Sequence, residues 1–241
     1  SHNAAAGAYS IEIAKNNCIG LSFTHSDAMV SPHGGYKKFN GTNPYSFCAP
    51  LKNGKFFLVD FATSNIPWNK VLRARGNNWL LSEELSLDKK GRMTTNPHLA
   101  DSLYPLGGIS YGHKGFGLSS SIEILCGPLT GMMHGFKLLP MSGPDFKTYR
   151  KLGHILIAIK TDIFQSKTQY YKRISNYIDD LKKQKNNSKK KQIYFPGELE
   201  NLEEKKRIKN GIPFDKEMIK EYSLIDKKLK INKFKSILKK I

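Results

Sequence analysis

The stretch P-L-G-G-I-S-Y-G-H-K-G-F-G (Pro105–Gly117), running into L-S-S-S-I-E-I-L-C-G-P-L-T-G-M-M (Leu118–Met133), is the passage on which the fold turns. Its second half is apolar and long enough to predict a buried helix, and its first half reads as a glycine-rich loop leading into that helix. A helix N-terminus offers unpaired N–H groups and partial positive charge, and Lys114 adds a full charge, so the loop suits an anion such as phosphate. The same glycines equally suit close helix packing. The spacing is not that of a Walker loop, and no G-x-G-x-x-G follows a strand anywhere in the chain.

Outward from this stretch the pattern alternates. Apolar runs at Cys18–Thr24, Tyr45–Ala49 and Phe56–Phe61 predict strands, punctuated by G-G and G-T-N-P. Helices are expected over Ala4–Lys15 and Pro67–Arg75, with a turn at D-K-K-G (Asp88–Gly91). After a Pro/Gly loop, Leu139–Pro144, the run H-I-L-I-A-I (His154–Ile159) predicts a buried strand. Ser166–Gln184 has Tyr170, Ile174, Tyr177, Ile178 and Leu181 on one helical stripe. A polar loop (Lys185–Lys191), a short strand (Gln192–Phe195), the turn P-G-E and helical segments to Ile241 complete the chain, without internal repeats. Strands interleaved with helices make this a mixed α/β protein.

Composition narrows the function. In 241 residues, 39 Lys and Arg face 20 Asp and Glu, a net charge of +19, and 39% of residues are hydrophobic, which suffices for a packed core and argues against disorder. Residues 1–145 carry 13 basic and 9 acidic side chains, and 146–241 carry 26 and 11, so the charge is concentrated in the second part. A basic half is compatible with nucleic acid or an anionic surface, but a solvated face is the ordinary explanation, and the Asn- and Ile-rich composition points the same way. No apolar run reaches the ~18–20 residues of a membrane span. The three cysteines, Cys18, Cys48 and Cys126, are too few and too far apart for a disulfide framework or a structural zinc site, which suits a reducing cytoplasm. The opening S-H-N-A-A-A-G-A-Y-S is not a secretory signal, and the chain is expected to begin inside a longer protein.

The seven histidines show no metal-ligand spacing, so no metal site is predicted, although one imidazole can serve as an acid/base near neutral pH. Asp60 ends an apolar strand and is placed either at a ligand-binding loop or as a helix cap; Ser26 and Asp27, in the loop after a strand, carry the same ambiguity.

Taken in order, S-H-N-A-A-A-G-A-Y-S, I-G-L-S-F-T-H-S-D-A-M-V-S-P-H-G-G, G-T-N-P-Y-S-F-C-A-P, F-L-V-D-F-A-T-S, D-K-K-G-R-M-T-T-N-P, P-L-G-G with H-K-G-F-G-L, K-L-G-H-I-L-I-A-I, and F-P-G-E with N-G-I-P resemble the malate/L-lactate dehydrogenase family, which includes ureidoglycolate and sulfolactate dehydrogenases. The resemblance covers nearly the whole chain to about Asp226. It implies a non-Rossmann α/β fold with a central mixed sheet flanked by helices, a dinucleotide-binding and catalytic region over 1–226, and a basic tail over 227–241. It further implies hydride transfer between NAD or NADP and a 2-hydroxy or 2-oxo acid of the malate, lactate, ureidoglycolate or sulfolactate type.

By the same resemblance, His2 of the S-H-x-x-x-x-G motif is the catalytic acid/base. The cofactor contacts fall on Ser26, on Asp60, Phe61 and Ala62, on His113 and Lys114, and on Gly197, Glu198 and Leu199 of the P-G-E turn. Phe61 stands where the family usually has Met, and H-K-G replaces P-K-G or Y-K-G. The family normally carries a further helical N-terminal part supplying substrate contacts, so an incomplete substrate pocket with weak or absent turnover is expected. Its members are commonly homodimers. Reduction of a cyclic imine acid is a neighbouring alternative, separable only by a substrate panel. A basic nucleic-acid or anionic-surface module is the alternative of another class; it predicts binding that falls steeply with salt, and the chain has no nucleic-acid motif to support it.

Overall fold

The computed structural model describes residues 3–141, 147–185, 192–214, 216–231 and 233–234. Packing divides the chain into two compact units, Ser1–Glu198 and Leu199–Ile241. The boundary at 226/227 that the resemblance implies, and the charge boundary at 145/146, are different divisions from this one.

The first unit is built on a four-stranded sheet in the order β3-β2-β1-β6, with β1 at Cys18–Thr24, β2 at Tyr45–Pro50, β3 at Phe56–Phe61 and β6 at His154–Lys160. All three pairs are antiparallel, with Gly20 opposite both Cys48 and Ala158. The mixture of strand directions expected from the resemblance is thus absent from this sheet. A parallel bridge, Val30 to Leu103, lies outside it.

Side-chain alternation assigns the two faces. Gly20, Ser22, Ser46 and Asp60 face helix α1 (Ala6–Lys15), whose buried side is Ala6, Gly7, Ser10 and Ala14. These small residues bring the helix so close that a Cβ on Gly20 would lie 2.5 Å from the Ser10 carbonyl oxygen. Leu21, Phe23 and Tyr45 face helix α3 (Gly108–Cys126) and pack with Ile122 and Cys126. Along that face the rings of Phe23, Tyr45 and Phe61 follow one another at 5.5 and 5.4 Å between centroids. A second core joins Val71 and Ala74 of helix α2 (Trp68–Asn77) to Val30, Leu81 and Leu103, beside the two-residue strands β4 (Ser86–Leu87) and β5 (Ser102–Leu103).

Three expectations need correction. The helix expected over Leu118–Met133 instead spans Gly108–Cys126, so His113 and Lys114 lie within it rather than on a loop before it. The low helix propensity of glycine is overridden because Gly112 packs on Pro105 and His33, while a Cβ on Gly115 would come within 2.1 Å of the Leu106 carbonyl oxygen. Gly127 and Pro128 then end the helix. Secondly, β6 is not buried: it is the sheet's edge, bonded to β1 alone, with Leu156 53% exposed. Thirdly, Gln192–Phe195 forms no strand; Phe195 is buried through stacking on Phe57, with ring centroids 6.4 Å apart.

The amphipathic helix forms as read, α4 (Lys167–Lys182), with Ser166 and Gln169 closing a capping box and Tyr170 buried. The second unit holds most of α5 (Glu198–Asn210) and α6 (Lys216–Lys228), with Phe214, Tyr222 and Phe234 in one aromatic cluster. The expected loops at 142–144 and 186–191, and most of the tail beyond 231, lie outside the described residues. Among the described residues no helix is long and apolar enough to cross a membrane.

Candidate active site

The antiparallel order brings the end of β1, the start of β2 and the end of β3 to one end of the sheet. Three loops meet there: Ser26–Asp27 after β1, the G-T-N-P turn (Gly41–Pro44) before β2, and Ala62–Asn65 after β3. Thr63 ties them, its N–H donating to the Thr42 carbonyl at 2.9 Å and its hydroxyl to the Asn43 carbonyl at 3.0 Å. The β3 loop is in turn bonded to the approach to α3: Leu106 N–H donates to the Thr63 carbonyl at 2.9 Å, and Gly107 N–H to Asn65 Oδ1 at 2.9 Å.

Ser26 is held on both sides. Its hydroxyl accepts the Thr42 N–H at 3.1 Å, and its own N–H donates to Asn43 Oδ1 at 3.1 Å. Gly41 must be glycine for this, since a Cβ there would lie 2.3 Å from Ser26 Oγ. Asn43 then passes the constraint inward, donating from Nδ2 to Glu123 Oε2 at 2.6 Å.

Glu123 is only 5% exposed, in the last turn of α3. Its other oxygen accepts the Gly135 N–H at 2.7 Å and lies 3.6 Å from His25 Nδ1. Burial pushes its carboxyl up, but the adjoining His25 ring and the hydrogen bonds from Gly135 and Asn43 outweigh burial and hold it below the usual glutamate range. His25 Nε2 accepts the Gly153 N–H at 3.0 Å, which assigns the ring proton to Nδ1, facing the carboxylate. His154, whose Nδ1 lies 2.7 Å from the Thr24 hydroxyl, has its pKa lowered by burial and by the neighbouring His25.

Of the two roles the sequence left open for Asp60, the structure shows the cap. It caps the start of α1, accepting the Gly7 N–H at 2.9 Å, so the helix it caps is not the one that follows it in the chain. Burial pushes its carboxyl up, opposed by that bond. Gly7 is required, because a Cβ there would lie 2.7 Å from Asp60 Oδ2. The Phe61 ring lies tilted against that of Tyr45, and Ala62 is half-buried at the loop's beginning.

His113 and Lys114 stand exposed on α3, past its first turn; His113 meets His33 edge-on at 5.6 Å, and Lys114 Nζ lies 5.4 Å from the Tyr111 ring. Gly197 and Glu198 dock at the outer edge of β3. Leu58 N–H donates to the Pro196 carbonyl at 3.0 Å, and Gly197, at φ +88°, leaves no room for a Cβ beside Leu58. Glu198 pairs with Lys182. Leu199 is the first residue of the second unit and is exposed. His2 lies outside the described residues, but Asn3, next to it, is described.

At this end of the sheet a cleft of about 690 Å³ opens, lined by Asn3, Ser26, Thr42, Trp68, Arg75 and Arg150 among others. Arg150 is paired with Asp27, whose second oxygen accepts the Met141 N–H at 3.0 Å. The cleft therefore brings Ser26 together with Asn3 and Ala4, while Lys114, Asp60 and Gly197 do not line it. Sequence reasoning missed Glu123 and the two arginines. The signal for Glu123 was present in S-S-S-I-E-I-L-C, since a single acid inside an apolar helix requires buried donors. Arg75 and Arg150 carried no such signal, being ordinary members of a basic chain. Among the described residues no three His, Cys, Asp or Glu side chains gather as metal ligands would.

Compared with known proteins, residues 1–222 match the family described as malate/L-lactate dehydrogenase. The chain is 33% identical to the malate/(S)-sulfolactate dehydrogenase of Methanothermus fervidus, over 96% of its own length and 65% of that protein's. It is 32% identical to the NAD(+) ureidoglycolate dehydrogenase of Escherichia coli, over 88% and 59% respectively. The crystal structure of the Entamoeba histolytica malate dehydrogenase superposes with a TM-score of 0.85 at 25% identity, covering 94% of this chain and 65% of that one. The chain thus spans less than two thirds of the length of the proteins it matches.

Proposed function

The chain belongs to the malate/L-lactate dehydrogenase family, and from that premise we propose that it serves hydride transfer between a nicotinamide dinucleotide and the C2 carbon of a 2-hydroxy or 2-oxo acid. The observation that carries this reading is the convergence of Ser26, the G-T-N-P turn and the Ala62–Asn65 loop at one end of the sheet, bonded to the start of α3.

The donor set fits a dinucleotide by its chemistry. Lys114 offers an exposed ammonium, and the first turn of α3 offers N–H groups, as a pyrophosphate needs. Asp60 offers a carboxylate and Ser26 a hydroxyl, as ribose hydroxyls or a carboxamide need. Phe61, Ala62, His113, Gly197 and Glu198 complete the proposed contact set within the first unit. When bound, the nicotinamide supplies or accepts the hydride. His2 gives or takes the proton at the substrate oxygen, work suited to an imidazole. The Glu123–Asn43–Ser26 chain keeps Ser26 in place, and Trp68 and Leu72 give the cleft an apolar wall.

We further propose a homodimer, in keeping with the family resemblance, and a reducing, cytoplasmic setting suited to three free thiols. The test is a titration with NADH and with NADPH, following energy transfer from Trp68 and Trp79, with Lys114→Ala beside the parent. Saturable binding, weakened at least tenfold in the variant, is expected, and the tighter ligand identifies the cofactor. A folded chain that binds neither overturns the reading. A panel of 2-oxo acids and a cyclic imine acid then assigns the substrate.

A further inference from the structure

The cleft that holds Ser26 is lined by two guanidinium groups, and they are not equivalent. Arg150 is neutralised: it pairs with Asp27, and its Nε–H donates to the Leu139 carbonyl at 3.1 Å. Arg75 has no carboxylate partner among the described residues. Its Nε–H donates to the Pro97 carbonyl at 2.7 Å and Nη2 to the Ala100 carbonyl at 2.9 Å, and its guanidinium lies over the Trp68 ring at 5.4 Å. A guanidinium carries five N–H donors, so three are left for a ligand. Two backbone carbonyls and an aromatic face thus immobilise a full positive charge at the wall of a cleft without a counter-ion.

We propose that Arg75 anchors a carboxylate of the acid substrate. A planar fork matches a carboxylate in two parallel hydrogen bonds, and a fork already fixed by Pro97, Ala100 and Trp68 loses little freedom on binding. The partly apolar surroundings, with Leu72 and Trp68 from α2 and Met29 opposite, strengthen the attraction relative to water. Fixing the carboxylate fixes the carbon next to it, which is the carbon that reacts in a 2-oxo or 2-hydroxy acid. The assignment rests on the dehydrogenase reading for the identity of the ligand, and on the geometry of the cleft for its charge.

The experiment uses the full chain carrying Trp79→Phe, which leaves Trp68, in contact with Arg75, as the reporter. Trp79 is 56% exposed, so its replacement leaves the core intact. The probe is oxamate, an unreactive isostere of a 2-oxo acid, titrated with and without saturating NADH. Two variants follow in that background: Arg75→Lys, and Leu72→Glu, which sets a carboxylate one turn away on α2 while sparing the bonds to Pro97 and Ala100. Oxamate is expected to change Trp68 emission saturably and to bind at least tenfold more weakly in both variants, with thermal transitions showing both to be folded and NADH binding unchanged. An equal response in parent and Leu72→Glu, or no response in the parent under either condition, overturns the proposal. A parent that binds NADH but not oxamate discards Arg75 alone; one that binds oxamate through Arg75 but not NADH discards the dehydrogenase reading and keeps the carboxylate site.

Discussion

Glu123 shows how one side chain fixes a site from beneath. Two donors, from Asn43 and Gly135, converge on it with the His25 ring 3.6 Å away, and Asn43 and His25 belong to the loops that hold Ser26. Glu123→Ala leaves those donors buried without an acceptor and is expected to cost about 1–3 kcal/mol for each donor left unpaired, read by urea unfolding. Because the folded carboxyl titrates below the ordinary 4.5, its contribution is fully present above pH 4.5 and is lost as pH falls through the folded value. The stability gap between the parent and Glu123→Gln is therefore expected to close on going from pH 7 to pH 3; a gap that stays constant would mean that Glu123 is already neutral in the fold. The thiols give a second check. Burial pushes Cys48 up to about 12 and Cys126 up to about 11, whereas Cys18 is half-buried. A thiol-disulfide dye at pH 8 is expected to titrate Cys18 alone in the folded chain and all three cysteines in denaturant.

Among the elements, α3 is the one on which sequence and structure part most, and the reason is packing rather than propensity. Glycines at 112 and 115 read as a loop because isolated helices disfavour them, yet here each removes a Cβ that neighbouring backbone or side chains would meet. Gly115→Ala is expected to destabilise the fold by about 1–3 kcal/mol through overpacking against Leu106. Gly117, on the same helix with open space around its Cβ position, supplies the control: Gly117→Ala is expected to stabilise by about 0.5–1 kcal/mol. Chemical denaturation of the two variants should give opposite signs; the same sign would mean that helix propensity, not contact with Leu106, governs this face. Strands β1 and β3 were legible to the residue because their apolar runs end in turn residues. The exposure of β6 was not legible, since H-I-L-I-A-I has the same composition whether a strand is central or at an edge.

At the scale of the whole molecule, what the sequence conveyed about the site was which segments matter, and what it could not convey was how they meet. Ser26 and the G-T-N-P turn come together through Asn43, a residue that reads as part of an ordinary turn, and Arg75 enters the cleft because α2 packs beside it. Charge, by contrast, is a whole-chain property that needs no fold to be read. With a net charge of +19, and 26 basic against 11 acidic side chains after residue 145, self-repulsion opposes compaction. Against it stand exposed pairs such as Lys15–Glu12 and Lys38–Asp101, of a kind that contributes little, and the less exposed Asp27–Arg150 pair, which salt screens less. Repulsion should therefore dominate the salt dependence. Raising monovalent salt from about 10 mM to about 150 mM shortens the screening length from about 30 Å to about 8 Å, and the melting temperature is expected to rise by a few degrees. Chloride salts of sodium and choline should act alike, which separates screening from the strengthening of apolar burial that sulfate would add. A melting temperature that falls with salt would show that attractive ion pairs, not the excess of lysine, set the electrostatic balance of this fold.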